Sequence, residues 1–329
     1  MAADNYTRAI RFERPDHIPM SFHINSACWD CYPREALWDL MEEHRLLFPG
    51  FTRPSSDWQP SHIACARKDT PYTDPMGCVW YTSIDGITGT VKGHPLEDWS
   101  AFGTTWTMPD PEKTDGLYMT DLAGQMRWYE EMRKNGGTFR GSLRHGHTFL
   151  QLSDLRGYEN LLFDMADEEP LLDELIDQLC EFNLALVRRM IGSGCCISMG
   201  YPEDLGMQVG PMLSPEMFRR YIQPSYKKLM KPAHDAGIPI HMHSDGDIRD
   251  LADDLIGAGA FGFFDDKLQR RARTYRQHLL GNDFRNRQKT RAVTGGGNNG
   301  FHFYSFPFFS IPSRIPAASS TSSAQGRLR

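Results

Sequence analysis

The stretch from Cys195 to Asp247 constrains the fold more than any other part of this chain. It reads as a strand at Cys195–Gly200, a polar turn through Gly206, and a long helix from Ser214 to about Ala236. A second strand follows at Ile238–His243, then a polar turn to Gly246 and a new helix start at Asp247. Two strand–helix units in succession imply parallel strands joined by right-handed crossovers. In such sheets, acids and histidines just past the C-terminal strand ends face a ligand. Both turns carry them: Glu203 and Asp204 after the first strand, His243 and Asp245 after the second.

The same rhythm extends upstream. Thr138–Leu143 reads as a strand, with Arg144, His145 and His147 after it. Glu169-Pro170 opens a long helix whose buried stripe is Leu171, Leu175, Leu179, Phe182, Leu186 and Met190, closed by Gly192 and Gly194. Arg156–Leu162 begins a short helix, and Thr120 caps one that runs to about Lys134. Near the N-terminus, Asn5–Phe12 reads as a helix, Ile18–Ile24 as a first strand, and Pro33 as the N1 residue of a helix ending at Pro49-Gly50. Residues 58–112 break the rhythm. They are aromatic and irregular, with a hairpin expected from Cys78–Ser83 and Ile87–Val91 around Asp85-Gly86. The expected class is α/β. A TIM-type (β/α)8 barrel is the first choice and an open doubly wound sheet the second. No Gly-x-Gly-x-x-Gly follows an early strand, which argues against a dinucleotide domain.

Charge divides the chain. Residues 265–329 hold 12 Lys/Arg against 3 Asp/Glu, a balance of +9, while the whole chain is at −6. The preceding 264 residues therefore carry −15, and no Glu occurs after Glu216. This tail is basic and of low complexity, and it lacks strand–helix periodicity, so the barrel is expected to be incomplete at its C-terminus. A shifted reading frame would produce all three changes at once. The acidic body argues against a general nucleic-acid binder. No apolar run is long enough to span a membrane. Seven scattered cysteines and the absence of a leader pattern lead to the expectation of a cytoplasmic protein with reduced thiols.

His241, His243 and Asp245 are spaced two apart, so on a strand they share one face. Such groups can run acid–base chemistry or bind a metal. Alternatively, His241 is a core histidine and Asp245 a helix cap. Glu203 and Asp204 are adjacent and point apart, so one of them faces the pocket. Asp204 is favoured, because Leu205-Gly206 then lets the backbone turn tightly. The catalytic set expected is Asp204, His243 and Asp245. Substrate contacts are assigned to His23, Arg140, Tyr201 and Gln208, with Arg144 beside Arg140 as a further carboxylate partner. No metal ligand is assigned, because a ligand from a third strand is not visible. Cys28-Trp29-Asp30-Cys31 has no second pair at zinc-ribbon spacing.

Several stretches, taken in series, resemble the uroporphyrinogen decarboxylase superfamily, which includes corrinoid-dependent methyltransferases. They are Arg8-Ala9 leading to Pro15–Pro19, Asp74–Trp80, His94–Trp99, Arg156–Leu162, Glu203–Gln208, Ser214–Phe218 and His243–Gly246. Together they cover about residues 5–260. The resemblance implies a TIM-type barrel with its site at the strand C-termini, a small-molecule substrate, and decarboxylation of a tetrapyrrole-type or other carboxylate. Such a decarboxylase needs no cofactor. Corrinoid-dependent methyl transfer, with a corrinoid protein as partner, is the alternative, and a truncated inactive relative is the third reading. Where true uroporphyrinogen decarboxylases resemble one another in an Arg-rich loop, this chain has His23–Cys28 without Arg. Where zinc methyltransferases show His-x-Cys, it has His243-Ser244-Asp245, so zinc is not expected. A homodimer is the assembly considered.

Overall fold

The computed structural model describes residues 5–10, 13–18, 20 and 22–260. The division at 264/265 and the basic tail lie outside the described residues. Helix α1 spans Asn5–Ile10, α2 Cys28–Cys31 and α3 Arg34–Glu43, the last beginning just after Pro33. No strand forms among the described residues of Ile18–Ile24. Pro15 precedes that stretch and Pro19 falls inside it, neither with an N–H to donate, and Ile18 and Phe22 stand exposed at 57% and 51%.

The irregular region contains a small antiparallel sheet of β1 (Tyr72–Thr73), β2 (Val79–Tyr81) and β3 (Thr90–Gly93), ordered β1-β2-β3. The expected hairpin is present in β2 and β3, with Tyr81 opposite Thr90. Asp74 braces it: its carboxylate accepts the Cys78 amide at 2.9 Å and the Trp80 indole at 2.8 Å.

Helix α4 (Leu122–Lys134) is capped by Asp121, whose carboxylate accepts the Gly124 amide. The expected cap, Thr120, lies one residue upstream. Then come β4 (Phe139–Ser142), α5 (Phe149–Arg156), α6 (Tyr158–Asp167), α7 (Pro170–Gly192) and β5 (Cys196–Pro202). Pro170 sits in the first turn of α7, and Glu169 accepts the Leu171 amide there.

The expected long helix after Ser214 is continuous in space but changes register. It begins as α8 (Pro215–Met217), passes through a π segment at Phe218–Ile222, and continues as α9 (Gln223–Asp235). Pro224 is the physical reason: it has no N–H to give the preceding turn, and the Gln223 amide bonds back to Phe218 instead. Strand β6 (Ile240–His243) and α10 (Ala252–Ala258) complete the described chain.

Strands β4, β5 and β6 form a parallel sheet in sequence order. Among the described residues it has three strands, so the observed architecture is mixed α/β with a parallel sheet rather than an eight-stranded barrel. One face packs on helices. Leu172, Leu175, Leu179 and Phe182 of α7 and Tyr226, Leu229 and Met230 of α9 are buried with Met199 and Tyr201 of β5. Each fully buried leucine contributes about 2 kcal/mol by removal from water.

Candidate active site at three strand ends

Alternation along the strands separates a packed face from a polar one. Met199 pairs with Gly141 and Ile240, and these residues share the helix side with Tyr201. On the other side, Gly200 pairs with Ser142 and His241, and Pro202 pairs with His243. Gly200 is required there. A Cβ at that position would stand 2.8 Å from Ser142 Oγ and 2.9 Å from His241 Cε1.

Past the strand ends, three loops are stitched together. The Gly146 amide donates to Pro202 O at 2.9 Å, which ties the β4 loop to β5. The Glu203 amide donates to His243 O at 2.9 Å, and the Leu205 amide to Ser244 Oγ at 3.0 Å. The Asp245 amide donates to Asp204 Oδ1 at 2.8 Å. Gly206 and Gly246 cross so closely that a Cβ on Gly246 would lie 2.2 Å from the Gly206 carbonyl carbon. Gly246 also has φ +81°, in the left-handed region that favours glycine.

This stitching brings three strand ends to one point. His145 Nε2 lies 3.4 Å from Asp204 Oδ1, and His243 Nε2 lies 3.6 Å from the same oxygen. The two imidazole centroids are 5.6 Å apart. Asp245 Oδ1 is 3.6 Å from His243 Nε2. The side chains of His145, Asp204 and His243 are 49%, 29% and 25% exposed, so the cluster opens to solvent. One donor atom from each of these three residues lies within 4.8 Å of the other two, a grouping among the described residues that could hold a metal ion.

Residues 149–283 match the family described as Uroporphyrinogen decarboxylase (URO-D). Over that stretch the chain is similar to the URO-D family. A solved methyltransferase from Methanosarcina mazei is also similar, at 16% identity and a TM-score of 0.47, covering 78% of this chain and 73% of its own. The search of curated proteins gave no match.

Within the URO-D stretch, Glu203 and Asp204 point to opposite sides. Burial pushes the Asp204 carboxyl up, but hydrogen bonding from His145 and the Asp245 amide and the fields of both histidines outweigh it, so the net shift is downward. The His145 imidazole is raised, first by its bond to Asp204, against a smaller opposing effect of burial. An ionised acid therefore sits beside an imidazole that holds its proton tightly. Glu203 is fully buried on the helix side. It accepts the Thr148 amide at 3.1 Å, the Leu150 amide at 2.8 Å and the Tyr226 hydroxyl. Burial pushes its carboxyl up to about 7, against those three donors. Glu203 thus caps α5 and anchors the loop that presents His145.

The residues assigned to substrate contact do not gather here. Tyr201 is 0% exposed, and its hydroxyl donates to Leu229 O at 2.8 Å. Its place in β5 puts it on the helix side, so the reading as a substrate contact is corrected to a core residue. Gln208 is exposed in the loop beyond Gly206, and His23 is exposed in coil before α2. Arg140 lies on the polar face of β4, early in the strand, and its charge helps lower the His241 imidazole, after burial as the larger cause. Arg144 is locked inside. It donates to Gln151 Oε1 at 2.6 Å and Asp154 Oδ2 at 3.0 Å and lies over the Trp80 ring. His147 is also interior, with burial lowering its imidazole to about 3.

His145 was not among the expected site residues. Its signal was its position just after β4, equivalent to those of Asp204 after β5 and His243 at the end of β6.

Proposed function

We propose that this chain is a URO-D superfamily enzyme that decarboxylates a carboxylate substrate at the open ends of β4, β5 and β6. The observation that carries the reading is one ionised carboxylate, Asp204, held between the imidazoles of His145 and His243 from the two neighbouring strand ends. Loss of CO2 breaks a carbon–carbon bond and leaves its electron pair on the substrate carbon. That carbon takes one proton, and the product is the substrate with hydrogen in place of the carboxylate.

His145 is the proton donor in this scheme, because Asp204 favours its charged form. Asp204 also keeps the cation in place, and its own position is set by the Asp245 amide. His243 and Asp245 complete the rim. In this scheme Arg140, on the same sheet face of β4, would meet a substrate carboxylate.

The test is CO2 release from a carboxyl-labelled tetrapyrrole-type substrate and from simpler carboxylates. His145→Gln and Asp204→Asn are each expected to lower kcat about 100-fold or more, the usual worth of a positioned acid–base group. Unchanged release in both variants would remove the reading. Methyl transfer to or from a reduced corrinoid, with no CO2 release, would replace it.

A further inference from the structure

We infer that Cys28 and Cys31 form a thiol–disulfide exchange site, a dithiol that closes reversibly to a disulfide on meeting a small disulfide of the glutathione type. The pair sits in α2, away from the strand ends in sequence, and the decarboxylation scheme does not use it.

Accessibility singles the pair out. All seven cysteines are free, and five of them, Cys65, Cys78, Cys180, Cys195 and Cys196, are buried. Burial also pushes the Cys78, Cys180 and Cys196 thiols up, away from the thiolate form that attacks a disulfide. Cys31 is exposed and Cys28 is half-buried. The two thiols that solvent reaches are therefore the two that stand three residues apart.

Local geometry brings them together. The Cys31 amide donates to Ala27 O at 3.2 Å and the Tyr32 amide to Cys28 O at 3.0 Å, so Cys28–Cys31 is one α-helical turn. Residues three apart on such a turn are neighbours, with Cα atoms about 5 Å apart. A disulfide usually spans Cα separations of about 4.4–6.8 Å. The Cβ atoms start about 5–6 Å apart and must close to about 3.5–4.5 Å, so the turn has to tighten. The two residues between the cysteines are tied down. The Trp29 ring stands edge-on to Trp58 with centroids 5.2 Å apart, and Asp30 Oδ2 lies 2.8 Å from His62 Nε2. Just before the turn, a Cβ on Gly86 would lie 2.4 Å from the Ala27 nitrogen, so the loop between β2 and β3 presses on it. These ties resist tightening. A disulfide that is both strained and exposed is readily reduced again, which makes the closure reversible.

Exchange takes two steps. The thiolate of Cys31, the more exposed of the two, attacks one sulfur of the small disulfide. A mixed disulfide forms on Cys31, the small disulfide's own S–S bond breaks, and one small thiol leaves with the proton Cys31 gave up. Cys28 then attacks the Cys31 sulfur, the ring closes, and the second small thiol leaves with the Cys28 proton. The protein dithiol loses two electrons and two protons, and the small disulfide gains both. Excess small thiol runs the steps backwards.

The experiment uses the full chain, reduced and then freed of reductant, with oxidised glutathione as the probe. Thiol counting and peptide mass mapping are the readouts. The expected result is loss of two of the seven thiols per chain. The disulfide should map to the peptide that holds Cys28 and Cys31, join no second chain, and reopen in reduced glutathione. Cys28→Ser should stop at a stable glutathione adduct on Cys31, and Cys31→Ser should react more slowly, at Cys28. Far-UV circular dichroism checks the fold of each variant, and the wild-type mapping decides where a variant is unfolded. Three results would each overturn the inference: no loss of thiols, a wild-type glutathione adduct that never closes, or a disulfide joining any other pair.

Discussion

Asp204 owes its place to a neighbouring loop as much as to its own strand. The Asp245 amide fixes Oδ1, and both histidines address that same oxygen. Replacing the acid should therefore be felt first at His145. Asp204→Asn is expected to lower the His145 titration midpoint, read by NMR of the imidazole protons. An unchanged midpoint would mean that Asp204 does not hold the proton there. Glu203 makes a different prediction. In the fold its carboxyl keeps its proton up to about 7, against an ordinary value of 4.5. Its contribution to stability is complete below the ordinary value and is lost as pH rises through about 7, because the buried anion then has to form. At about 1.4 kcal/mol per pH unit, the loss reaches about 3 kcal/mol. Glu203→Gln should flatten that decline in urea denaturation measured from pH 4 to 8. That Glu203 and Asp204 face opposite ways was legible in their adjacency on a strand. Which partners each would meet was not, because the amides of Thr148, Leu150 and Asp245 arrive from elsewhere in the chain.

At the scale of elements, the crossing of two glycines decides whether the site exists. Gly246→Ala would place a methyl group against the Gly206 backbone and force an L side chain to φ +81°. The expected cost is about 3 kcal/mol or more, seen as a lower urea midpoint. Asp245 should move with it, and CO2 release should fall beyond what the lost stability explains. On the helix side, Leu229→Ala removes a fully buried side chain of α9 and should cost about 2–5 kcal/mol while leaving the His145–Asp204 pairing in place. The helices of this half were readable because their apolar residues recur at helical spacing and their starts carry caps or proline. The π segment was not, since the same periodicity passes through Phe218–Ile222 without interruption. The first expected strand failed for the opposite reason. Ile18–Ile24 has the right composition, but Pro19 within it has no N–H to give, and without a pairing partner among the described residues its described part is coil.

For the molecule as a whole, the described residues combine a three-stranded parallel sheet, its helical cover and a small antiparallel sheet braced by Asp74 and Trp80. The parallel half was the more legible, because each of its strands is followed by a polar loop and a helix. The expected barrel is not seen among the described residues, whose parallel strands run only from Phe139 to His243. No described helix is long and apolar enough to cross a membrane. The central claim is that His145, Asp204 and His243 act as one chemical group at the open strand ends. The measurement that tests it most directly is release of labelled CO2 from a tetrapyrrole-type carboxylate by the wild type, Asp204→Asn and His145→Gln, compared under identical conditions. The account predicts release by the wild type and a loss of about 100-fold or more in each variant. No release by the wild type, or release that both variants leave unchanged, would contradict it.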